Sequence, residues 1–120
     1  MDDYRTLPAW KEGMSFAHAV YAALEVAGIK EGEQGKRLRK AAVAIPSLIA
    51  ETCLELMGRE PEEALFLAES KLAEVIRLLD DPELASLSEP ERDALIKDAE
   101  RLLKEIGEMR TERISARSPS

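Results

Sequence analysis

Four times along this chain, apolar residues recur every three or four positions, with glycine or proline between one run and the next. That spacing puts side chains on one face of an α-helix and cannot line one face of a strand. The first predicted helix covers 7–27. Trp10, Met14, Ala17, Tyr21 and Leu24 form its main stripe, and Phe16, Val20 and Ala23 form a second strip beside it. Pro8 suits a first turn, where a missing N–H costs nothing, and Gly28 suits a C-terminal stop.

The second predicted helix covers 36–57. Leu38, Ala42, Ile45, Ile49, Thr52 and Leu56 make one stripe; Ala41, Leu48 and Met57 broaden it, and Ala44, Ala50 and Leu54 broaden it further. Pro46 falls inside this pattern. Its ring crowds the carbonyl four residues back and it has no N–H to donate. Because the stripe stays in phase on both sides, a kink is expected rather than a break, with Gly58 closing the helix.

Pro61 followed by Glu62 and Glu63 opens a third helix, since acids complement the positive end of the helix dipole. Its face is Leu65, Ala68, Leu72, Val75 and Leu79, and Asp80-Asp81-Pro82 stops it. Leu84 and Leu87, in the next connection, are expected to tuck under the helices. Ser88-Glu89-Pro90-Glu91 reads as a capping box for a fourth helix carrying Leu95, Ala99, Leu102, Ile106 and Met109. The stripe fades from Thr111, so the domain reading is a bundle over 1–110 and a frayed or disordered tail over 111–120. Four helices with short connections predict an all-α, antiparallel, up-and-down four-helix bundle.

The chain offers little catalytic chemistry. His18 is the only histidine, too few for the Glu-x-x-His pairs of a di-metal bundle, and Ser15 stands where such a glutamate would fall. His18 is therefore expected as a partly buried side chain on an alanine-rich face. Cys53 has no cysteine or second histidine to share a metal with, and is expected as a small buried thiol. Glu51 and Glu55, four apart, read as solvated surface before they read as paired acids. Neither a phosphate loop nor a dinucleotide fingerprint is present. The expectation is a noncatalytic protein with no catalytic residue, no metal and no cofactor.

No apolar run is long enough to cross a membrane, and the opening Met1-Asp2-Asp3 lacks the character of a signal peptide, so the expected location is cytoplasmic. A formal charge of −7 argues against indiscriminate nucleic-acid binding. The one basic cluster, Lys36, Arg37, Arg39 and Lys40, opens the second helix, at the end where the dipole disfavours cations. No aromatic residue interleaves it as a stacking platform requires. Solvated surface or salt bridges to another protein is the first reading. Anion or RNA contact, weak and lost early as salt rises, is the alternative. The first two helices carry more apolar surface than one bundle face needs, which predicts self-association.

Leu7-Pro8-Ala9-Trp10-Lys11, followed by Leu38-Arg39-Lys40-Ala41-Ala42-Val43-Ala44-Ile45-Pro46-Ser47-Leu48-Ile49-Ala50-Glu51, resembles a bacterial four-helix-bundle family first noticed as reading frames inside intervening sequences of large-subunit ribosomal RNA genes. Its pattern is an N-terminal Leu-x-x-Trp entry and a central Arg-x-Ala-x-Ser-Ile-Pro-x-Asn-Ile-Ala-Glu-Gly helix. Trp10, Ile45, Pro46, Ser47, Ile49, Ala50 and Glu51 carry the likeness, which extends over 4–79. Ala44, Leu48 and Thr52 stand where that pattern has serine, asparagine and glycine, so any contact made by the asparagine does not carry over. The resemblance implies a bundle that closes into a homo-oligomeric ring, commonly a pentamer, without established catalysis. A related branch, accessory proteins of diversity-generating retroelements, is basic and binds RNA; this acidic chain is similar to it in fold and ring more than in charge.

Overall fold

The periodic segments fold as helices wherever their ends can be closed. In the computed structural model, which describes residues 3–53 and 60–117, helix α1 spans Pro8–Ala27, α2 Glu33–Glu51, α3 Pro61–Leu79 and α4 Glu89–Arg117. Short 3-10 turns at Tyr4–Thr6 and Pro82–Leu84 precede α1 and α4. Each helix packs on the next in sequence and α4 returns to α1, making an antiparallel up-and-down four-helix bundle measuring 50 × 25 × 22 Å.

The start and stop signals act as their chemistry requires. Pro8 and Pro61 occupy first turns. Ser88 Oγ accepts the Glu91 N–H at 3.2 Å, one arm of the expected capping box. Gly28 takes φ +73°, and the closing bonds run from Gly28 N to Glu25 O and from Ile29 N to Leu24 O, each 3.1 Å. This is a Schellman closure, in which a left-handed glycine satisfies the last carbonyls.

Helix α2 begins three residues before the expected start at 36, because its start is capped from outside. Gly32 offers no capping side chain; instead Glu83, in the α3–α4 connection, accepts the Gln34 N–H, and Gln34 Nε2 donates to Asp81 Oδ2 at 3.0 Å. A carboxylate there also complements the dipole. The helix ends at Glu51, where Thr52 Oγ1 donates to Ile49 O at 2.7 Å and Cys53 N to Ala50 O at 3.0 Å. The expected extension to 57, with Leu54, Leu56, Met57 and Gly58, falls outside the described residues.

Helix α2 is unbroken through Pro46, and Ile45 and Ile49 are both fully buried on its inner face. Leu38, Ala41, Ala42 and Leu48 share that face, as Leu65, Ala68, Leu72, Val75 and Leu79 do on α3 and Leu95, Ala99, Leu102 and Ile106 on α4. Leu84 and Leu87 close one end of the core. On α1 the expected order of strips is corrected. Phe16, Val20 and Ala23, read as the second strip, are core, joined by Ala17 and Leu24; Trp10 and Met14 are half-buried and Tyr21 is 44% exposed. Both strips are apolar, and only the positions of α2 and α4 decide between them. Of the tail expected over 111–120, residues 118–120 fall outside the described residues, and the part to Arg117 is described and continues α4 as helix. Thr111, Glu112 and Ile114 are exposed there, so the packing ends near residue 110 while the helix does not.

Candidate functional site

The α1 strip displaced from the core lines a cleft. Trp10, Met14, Ala17, His18 and Tyr21 from α1 face Val43, Pro46, Ser47 and Ala50 from α2 across about 500 Å³, with Tyr4 at the mouth. The Tyr4 and Trp10 rings meet edge to face, centroids 5.3 Å apart. Opposite Pro46, α1 carries the buried Gly13, where a Cβ would lie in ordinary contact with the proline ring. Beyond Val43 the trench continues into a hollow of about 460 Å³ lined by Ala17, Tyr21, Arg39, Lys40, Val43 and Ala44. Val43 is 58% exposed, which is costly for a β-branched side chain that meets no partner.

Cations gather at this second end. Lys30 Nζ donates to Tyr21 Oη at 3.0 Å and lies 4.8 Å from the ring centroid, and that hydrogen bond raises the Lys30 pKa above its ordinary value. The Arg39 guanidinium stands 6.0 Å from the same ring and 3.8 Å from Glu31, and its Nε is buried without a hydrogen-bond partner. An aromatic therefore does stand beside the basic cluster, supplied by another helix and so invisible in the local sequence.

The predicted site residues are divided among several places. Of the basic cluster, Arg39 and Lys40 reach the trench, while Lys36 and Arg37 are exposed outside its lining. Of the motif residues, Trp10, Pro46, Ser47 and Ala50 line the cleft, Ile45 and Ile49 are core, and Glu51 is half-buried at the end of α2. His18, expected as partly buried, is an exposed cleft residue, and Cys53, expected as buried, is half-buried in the turn after α2. Glu55 falls outside the described residues, so its pairing with Glu51 does too. Among the described residues no three His, Cys, Asp or Glu side chains converge as a metal site, and no helix is long and apolar enough to cross a membrane.

The sequence reading also missed a carboxyl pair across the α1–α4 seam. Glu12 and Glu105 hydrogen-bond to each other, which together with burial and repulsion from Glu12 and Glu108 pushes the Glu105 pKa up to about 7; Arg101 opposes the shift. A carboxyl pair of this kind needs no motif, only two helices brought together. Compared with models of protein families, with curated proteins and with solved structures, the chain matches none.

Proposed function

We propose that this protein works without catalysis in the cytoplasm, as a ring-forming helical bundle that binds another macromolecule on its α1–α2 face. The observation that carries the reading is the cleft: apolar side chains at one-turn intervals on two adjacent helices, left open along the bundle and bordered by cations. Contiguous apolar surface of this kind marks contact faces. The ring rests on the resemblance to the intervening-sequence family, with a pentamer as its expected form, and on apolar side chains exposed away from the cleft, Val26, Phe66 and Ile114. Two different patches on one subunit are what a head-to-tail closed ring uses. Light scattering on the purified protein tests it: a discrete mass near five times that of one chain supports the ring, and one chain's mass down to low micromolar concentration refutes it.

A second reading, RNA contact through Lys36, Arg37, Arg39 and Lys40, is favoured by the Tyr21 ring beside Arg39. Filter binding separates the two. Retention of single-stranded RNA that survives physiological salt and is lost when all four cations become alanine would put RNA first.

A further inference from the structure

The trench has the length of a bound helix. Trp10 and Tyr21 lie eleven positions apart on α1, as do Arg39 and Ala50 on α2, so its walls run about 16 Å, or three helical turns. A groove between two helices with apolar walls receives an amphipathic helix through residues at i, i+3 or i+4, and i+7. Charge selects among such helices. In a chain of net charge −7, the residues from Lys30 to Lys40 hold five cations against two glutamates, and three of the five, Lys30, Arg39 and Lys40, border the trench. One of those glutamates, Glu31, is taken up by Arg39.

We infer that the α1–α2 cleft receives an acidic amphipathic helix from a partner protein, lying with its C-terminal end over Arg39 and Lys40. That orientation sets the negative end of the helix dipole against the cations. The inference rests on the α1–α2 face being the contact face and names what the face contacts.

A second copy fits the cleft less well. The chain's own helices place their apolar stripes in the core; of what α3 and α4 leave exposed, Ile114 stands alone near the end of α4, and the Phe66 ring lies under the Arg110 guanidinium, 5.7 Å away, which Glu69 holds in an ion pair at 3.0 Å. A nucleobase fits less well too, because Lys30 already stands over the Tyr21 ring.

Fluorescence anisotropy tests the inference on the full chain. The probe is a labelled helical peptide of about fifteen residues, with leucines at i, i+4, i+7 and i+11 and glutamates between them. A lysine version, a scrambled version and a labelled oligouridine accompany it. The glutamate peptide should bind at micromolar concentration, with the lysine and scrambled peptides roughly tenfold weaker or worse. Val43→Glu, at an exposed position, should abolish binding, and Arg39→Glu should weaken it roughly tenfold, both with unchanged circular dichroism. Equal binding of any control, or no binding of the glutamate peptide, overturns the inference. If the peptide fails while Val43→Glu dissociates an oligomer, the occupant is a copy and the contact-face reading survives. If the variant changes neither oligomer nor RNA retention, that reading falls as well.

Discussion

Three glycines in this bundle face three different environments, and their substitutions should differ accordingly. A Cβ at Gly35 would collide with the Ile29 carbonyl oxygen, backbone that cannot rotate away, so Gly35→Ala should cost about 1–3 kcal/mol in urea denaturation. A Cβ at Gly13 would lie 3.5 Å from Pro46 Cβ and 3.6 Å from Ile49 Cδ1, ordinary contact distances. Gly13→Ala should therefore stabilise the protein by about 0.5–1 kcal/mol, because glycine inside a helix carries a backbone-entropy cost that contact alone does not impose. Gly28 was legible in the sequence, since a helix stop needs a left-handed residue wherever it packs; Gly35 was not, since its constraint comes from a carbonyl in the preceding turn. The Glu12–Glu105 pair was illegible for the same reason. With a folded-state pKa of about 7 against an ordinary 4.5, Glu105 holds its proton more tightly in the native state. Its contribution is full below pH 4.5 and is lost as pH rises through about 7. The urea midpoint should fall across that window in the native sequence and flatten in Glu105→Gln. Asp3, whose pKa Arg5 holds below 3.8, titrates outside the window.

At the level of elements, existence was easier to read than limits. The four stripes gave four helices because each spans enough turns to bury a face. The start of α2 escaped because Glu33 and Gln34 carry no apolar signal and the cap arrives from Glu83, far away in sequence. Glu83→Ala should therefore cost about 1 kcal/mol, the range of a lost N-terminal cap, and Glu83→Gln less, because the amide oxygen still accepts the bond. The cleft escaped for a related reason. Two apolar strips on α1 are equivalent until α2 and α4 take their places, and periodicity alone cannot say which one faces inward. Pro46 gives a complementary test. Alanine there restores a backbone donor worth up to about 3 kcal/mol of helix preference and removes a buried ring. Pro46→Ala should remain folded with stability unchanged or raised; a loss above about 2 kcal/mol would show that the ring's shape is needed against Gly13.

Across the whole molecule, charge and apolar surface are segregated. Residues 61–120 hold nine basic and fifteen acidic side chains, while Lys30, Arg39 and Lys40 border the trench between α1 and α2. Peptide binding at the trench should accordingly weaken as salt rises, while the Leu contacts persist, leaving a residual affinity in high salt that Val43→Glu removes. The Gln34–Asp81–Glu83 latch acts at the same scale, tying the start of α2 to the α3–α4 connection at one end of the bundle. The first turns of α1 and the packed part of α4 near residue 105 lie at the opposite end, where Glu12 meets Glu105 across the smallest of the four helix seams. A pulling force applied at those two points would part α1 from α4 turn by turn, as a zipper opens, and would reach the latch last. In a single-molecule stretching experiment the latch then sets the final resistance, and Glu83→Ala should lower the last rupture while leaving the first unchanged.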